Sequence, residues 1–87
     1  MGCNAYFRDK YDELDFLIEE FRQILFYNKT NKYTCEEQSI LDSLKYKKKQ
    51  KIEILFKEIN YETKTELQFK KLLILTKEYE KALEEEM

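Results

Sequence analysis

Asp12, Asp15 and Glu19 are the residues whose types and spacing come nearest to catalytic chemistry in this 87-residue chain. They lie about one helical turn apart, and paired carboxylates do acid–base work when burial separates their pKa values. Arginines such as Arg22 are interleaved with them, which favours a solvent-facing, salt-bridged surface instead. The chain has no histidine, the commonest general base, and its one glycine, Gly2, excludes a phosphate-binding glycine loop. We therefore expect that the protein is not an enzyme.

The two cysteines, Cys3 and Cys35, lack the spacing of a metal site or a redox pair. A predicted helix of about 35 Å separates them, whereas a disulfide needs Cα atoms within about 7 Å, so we expect free thiols. The longest uninterrupted apolar run is 72–75, far short of the roughly 20 residues that cross a bilayer. The N-terminus also lacks the apolar segment of a secretory signal. These features favour a cytoplasmic protein that needs no metal or cofactor.

The N-terminal sequence Met-Gly-Cys allows a different expectation. A glycine at position 2 is required for N-myristoylation, and Cys3 beside it is a candidate for palmitoylation. Two lipid chains together give stable membrane attachment. Position 6, where the myristoylation motif has serine or threonine, is Tyr6 here. An acylated membrane adaptor using Gly2 and Cys3 is therefore one alternative function, and a membrane is an expected partner only in that case.

A basic strip is the strongest local charge feature of a chain whose net charge is −2. It consists of Lys45, Lys47, Lys48, Lys49 and Lys51. Such a strip can bind phosphates of a nucleic acid or of an anionic surface. It contains no arginine and one aromatic residue, so nucleic acid is the less favoured partner. The other interpretation is a solvated helix face, neutralised by the acidic segments 1–27 and 61–87.

Two lysines of the strip, Lys48 and Lys51, interrupt the apolar face of the second predicted helix. Burying an ammonium group is unfavourable, so three arrangements remain open at this point. The lysine stems extend along the edge of the core, the helix bends, or an acidic group meets the ammonium groups. Glu13 and Glu20 on the first predicted helix could supply that acidic group.

Three amphipathic segments predict an all-α fold in a single domain, 1–87, with helices at about 5–27, 35–60 and 64–85. Heptad spacing is most regular in the first segment. The expected core faces are Phe7, Tyr11, Leu14, Ile18, Phe21 and Leu25; Ile40, Leu41, Leu44, Ile52, Leu55 and Ile59; and Phe69, Leu72, Leu75, Tyr79 and Leu83. We expect a small antiparallel three-helix bundle.

The breaks between the helices differ in strength. The segment 28–33 loses the apolar period and reads as a turn, and Thr34 with Glu37 has the spacing of a capping box. Thr63 with Glu66 is a second candidate capping box, but no glycine or proline enforces that break. The alternative is a helical hairpin with one long helix from Cys35 onward, which would bury its apolar face in a coiled-coil dimer.

Several large apolar residues lie off these faces. They are Phe16, Phe26, Tyr27, Leu67 and Ile74. Exposed apolar patches usually mark association surfaces, and aromatic anchors carry most of the binding energy in typical interfaces. We therefore expect a small intracellular interaction module that binds another protein as an inhibitor, adaptor or assembly factor. Self-association as a homodimer would use the same surplus of apolar surface.

Overall fold

The computed structural model describes residues 9–86, which form three α-helices joined by short connections. Helix α1 spans Lys10–Thr30, α2 spans Cys35–Glu62 and α3 spans Glu66–Glu86. These described residues contain no β-strand. The chain runs up, down and up again, and α1 packs against both α2 and α3. The expected three-helix bundle is confirmed, and the long continuous helix from Cys35 onward is excluded because α2 ends at Glu62.

Helix α1 begins at Lys10, later than the predicted start near residue 5, because Asp9 has an extended backbone and acts as its N-cap. The Asp9 side chain accepts a hydrogen bond from the backbone N–H of Asp12 at 3.0 Å. Residues 5–8 lie outside the described part of the chain. At its other end α1 continues to Thr30, three residues beyond the predicted end, and the backbone N–H of Asn31 bonds to the Tyr27 carbonyl.

The capping box at the start of α2 is confirmed. The Thr34 hydroxyl accepts from the Glu37 N–H at 3.2 Å, and the Glu37 carboxylate accepts from the Thr34 N–H at 3.0 Å. The capping box predicted before α3 from Thr63 and Glu66 is wrong by two residues. Thr65 and Gln68 form the reciprocal pair there, with both distances at 3.2 Å.

Thr63 has a different role from the one expected. It is the C-cap of α2, and its hydroxyl bonds to the Ile59 carbonyl at 2.6 Å and to the Tyr11 hydroxyl at 2.9 Å. Across residues 9–86 no backbone φ is positive. The helices therefore end without a left-handed residue, and the scarcity of glycine does not prevent the two turns.

The core lies along the inner stripe of α1 and the facing stripes of its two neighbours. It consists of Leu14, Ile18, Phe21, Leu25, Ile52, Leu55, Ile59, Leu72, Leu75, Tyr79 and Ala82. The Phe21 ring centroid lies 5.9 Å from that of Tyr79, which in turn lies 5.6 Å from that of Phe56. Burying each large side chain contributes roughly 1.5–3 kcal/mol, and these aromatic contacts join all three helices.

Three residues expected in the core are exposed instead. The exposed fractions of Ile40, Leu44 and Phe69 are 63%, 48% and 52%. Ile40 and Leu44 lie on an outward stripe of α2 with Ile54. Helix α3 ends beside Lys45, which bonds to Glu86, so α3 does not cover the part of α2 before Lys45. Phe69 lies in the first turn of α3, and α2 and α3 pack less closely with each other than either does with α1. Periodicity alone assigned these residues to the wrong side of their helices.

Candidate interaction surfaces

All five residues predicted as partner anchors are exposed. Phe16 and Tyr27 are 49% exposed, Phe26 is 62% exposed, and Leu67 and Ile74 are 66% and 58% exposed. In total, twelve large apolar side chains among residues 9–86 are exposed, against eleven apolar residues in the core. A bundle of this size therefore presents as many apolar side chains to solvent as it buries.

The structure brings Phe26 and Tyr27 together at the C-terminal end of α1. Their ring centroids are 6.1 Å apart with an edge-on inclination of 64°. Both line a shallow groove with Arg22 and Glu85, which form an ion pair at 3.6 Å. The two rings and their charged border form a surface that we call the aromatic end of α1.

Leu67 and Ile74 lie on α3, away from the aromatic end of α1. Ile74 lines a groove between α1 and α3 with Tyr11 and Lys71, whose ammonium lies 5.8 Å from the Tyr11 ring centroid. Tyr11 and Phe26 are fifteen residues apart on α1, or about 22 Å by helical rise. The five predicted anchors therefore form at least two separate surfaces.

The basic strip is divided by ion pairs with the other two helices. Lys45 and Lys49 bond to Glu86 at 3.3 and 3.1 Å, and Lys48 bonds to Glu20 at 2.7 Å. This contact confirms that an acidic group of α1 meets Lys48. Partial burial raises the pKa of Glu86, but hydrogen bonds from the two lysines outweigh it and hold that pKa below its ordinary value.

Lys47 and Lys51 form no ion pair within residues 9–86. They belong to an outward stripe of α2 that sequence reasoning missed, and that we call the α2 stripe. Its members are Ile40, Leu44, Lys47, Lys51, Ile54, Glu58 and Tyr61, all exposed. Their alternating spacing of four and three residues is a heptad seam, the signal by which the stripe could have been found.

The carboxylates Asp12, Asp15 and Glu19 are exposed on α1. Partial burial raises the pKa of Glu78 on α3, and the nearby carboxylates of Asp15 and Glu19 raise it further, while Arg22 lowers it. In residues 9–86 no group of histidine, cysteine, aspartate and glutamate side chains is arranged to hold a metal ion. The arrangement is a charged rim between α1 and α3.

Tyr79 is the tyrosine whose surroundings are most perturbed. Burial raises its pKa well above the ordinary value of 10.0, and the neighbouring Glu53 carboxylate adds to that shift. Its hydroxyl donates a hydrogen bond to Glu53 at 3.3 Å. The phenol therefore keeps its proton at neutral pH and acts as a structural donor between α3 and α2.

The two predicted acylation residues, Gly2 and Cys3, lie outside the described residues. Cys35 is exposed and forms no disulfide among the described residues. None of the helices within 9–86 has the length and apolar content of a membrane span.

Comparisons of the chain with protein-family models, with curated proteins and with solved structures find no match.

Proposed function

We propose that this protein is a non-enzymatic interaction module that binds another protein through the aromatic end of α1. The observation that carries the proposal is the exposure of Phe26 and Tyr27, two aromatic rings in contact on a surface bordered by Arg22 and Glu85. Aromatic side chains with a polar border are typical of the centre of protein interfaces. Phe16, 49% exposed on the same helix, is a further aromatic anchor. Leu67 and Ile74 on α3 are secondary contacts, reached only by a partner that spans both helices. An inhibitor, adaptor or assembly factor acts by such binding.

Nucleic-acid binding through the basic strip is less favoured by the contacts. Three of its five lysines already neutralise carboxylates of α1 and α3. A phosphate-binding surface gains affinity from unpaired cations that release counterions, and pairing within the chain reduces that gain.

The proposal is tested by affinity capture from the cells that make the protein, comparing three forms of the full chain. The double variant Phe26→Ser/Tyr27→Ser removes the aromatic end of α1. Tyr46→Ser is the matched control, because Tyr46 is also 62% exposed but lies on α2. We expect a protein that is recovered with the wild type and the control and lost with the double variant.

Recovery of the same proteins by all three forms would overturn the proposal. Because the substituted side chains are exposed, all three forms should unfold at similar denaturant concentrations. Equilibrium unfolding checks that a partner is lost because the surface has changed and not because the variant is unfolded.

A further inference from the structure

The α2 stripe is a second apolar surface, distinct from the aromatic end of α1. Its residues extend over 40–61, about 31 Å of helix. Ile54 is 59% exposed and Tyr61 is 89% exposed. Two adjoining grooves that share Lys51 and Ile54 run beside the stripe, and the nearer wall of α1 supplies Glu13 and Leu17. The surface therefore has the shape and the heptad spacing that receive another helix.

The charges on the α2 stripe restrict which helix can cover it. Lys47 and Lys51 lie in the middle. Glu58 lies towards the C-terminal end, where its carboxylate is 3.6 Å from the Lys10 ammonium of α1. Two parallel copies would place each of these charges against its own equivalent, which is unfavourable. Two antiparallel copies can instead place Lys47 opposite Glu58, and this opposition occurs twice because the pair is two-fold symmetric.

The same antiparallel register also matches the apolar residues. Leu44 lies three positions before Lys47, and Tyr61 lies three positions after Glu58, so Leu44 comes opposite Tyr61. In the centre, Ile54 comes opposite Lys51, whose methylene stem can cover the isoleucine side chain. Glu13 of α1 lines the same groove as Lys51.

We propose that a second copy of this chain covers the α2 stripe, with the two α2 helices antiparallel and Lys47 opposite Glu58 of the second copy. This proposal rests on the proposed function in one respect, that exposed apolar faces of the bundle serve association. It concerns a different surface from the aromatic end of α1. The apolar contacts supply affinity, and the charge pairs select the register.

Sedimentation velocity of the full chain at micromolar concentrations tests the surface. The variant Leu44→Gln/Ile54→Gln disrupts the α2 stripe. Its control, Phe69→Gln/Leu73→Gln, changes two exposed α3 residues of similar exposure, 52% and 44% against 48% and 59%. We expect the wild type and the control to sediment with twice the 10.8 kDa mass of one chain, and the stripe variant with the mass of one chain.

The register is tested by exchanging charges. Lys47→Glu and Glu58→Lys should each weaken the dimer by about tenfold, because each places like charges together at two symmetric positions. The combined variant should restore wild-type affinity, while Lys77→Glu, an exposed change on α3, should leave it unaltered. Circular dichroism checks that helicity is retained.

A monomeric wild type, or a dimer that survives Leu44→Gln/Ile54→Gln, would overturn the proposal. Failure of the combined charge variant to recover affinity would overturn the register. None of these results affects capture through Phe26 and Tyr27, so the two proposals fail independently.

Discussion

Glu78 and Glu86 lie eight residues apart on α3, but their surroundings shift their pKa values in opposite directions. Partial burial and then the Asp15 carboxylate raise the pKa of Glu78, so its charge is unfavourable in the folded state at neutral pH. Burial of Glu86 is outweighed by hydrogen bonds from Lys49 and Lys45, so its charge is favourable there. Each residue therefore links folding stability to pH with its own sign.

Glu78→Gln should raise the free energy of unfolding at pH 7 by about 0.3 kcal/mol, the scale of a like-charge pair on a helix surface. The gain should shrink as the pH falls through the folded pKa of Glu78, because the wild-type carboxyl then becomes neutral. Glu86→Gln should lower stability at pH 7, and this loss should disappear as the pH falls below the ordinary value of 4.5.

Urea unfolding between pH 7 and about pH 3 measures both effects. Glu80→Gln, an exposed change on the same helix, is the control. Shifts of the same sign for Glu78→Gln and Glu86→Gln at pH 7 would contradict this interpretation.

At the residue scale, the sequence predicted most of the core but not its edges. Leu14, Ile18, Phe21 and Leu25 are buried as expected because one regular heptad seam defines a single face. Ala82 is fully buried but was not predicted, since a small side chain adds little to an apolar pattern. Its burial depends on how α3 packs within the bundle, which a sequence pattern does not determine.

At the scale of the elements, each helix begins at a side-chain cap. Asp9 is the N-cap of α1, and α2 and α3 begin with capping boxes, so the turns form without glycine. The capping box of Thr34 and Glu37 lies between α1 and α2 and satisfies two backbone donors. Thr34→Ala should destabilise the protein by about 1 kcal/mol, because it leaves the Glu37 N–H without its partner.

Chemical denaturation of Thr34→Ala beside Ser39→Ala measures this cap. Ser39 is exposed inside α2, where alanine has the higher helix propensity, so the control should not lose stability. Equal stability of the two variants would show that the cap makes no contribution.

The capping box before α3 was predicted at the wrong residues because two overlapping sequence patterns fit that position. Thr63 with Glu66 and Thr65 with Gln68 both have the required spacing. The choice depends on tertiary contacts, because the Thr63 hydroxyl is already bonded to Tyr11 and to the Ile59 carbonyl. A sequence pattern contains no information about the Tyr11 contact.

Helix α2 presents a similar ambiguity over its whole length. One stripe contains Leu41, Ile52, Leu55 and Ile59, and the other, the α2 stripe, begins with Ile40 and Leu44. Both have helical spacing, and α1 with α3 covers only the first. The α2 stripe is exposed because the bundle has no further helix to cover it, and periodicity does not determine how many helices pack together.

At the scale of the whole molecule, the bundle is thin, with Cα extents of 47 × 32 × 17 Å. Lysines in the middle of α2 bond to carboxylates of α1 and α3. This pairing stabilises the antiparallel order, whereas the apolar surplus remains on outward faces. The location of that surplus was predictable in part: the five anchors are exposed, but they do not form one surface.

Site-specific photo-crosslinking in the cells that make the protein tests the central claim most directly. A photoreactive phenylalanine analogue replaces Phe26 in one form of the chain and Tyr46, of equal exposure, in another. We expect a discrete adduct with another protein from position 26 and none of that mass from position 46. The same adducts from both positions, or none from position 26, would contradict binding through the aromatic end of α1.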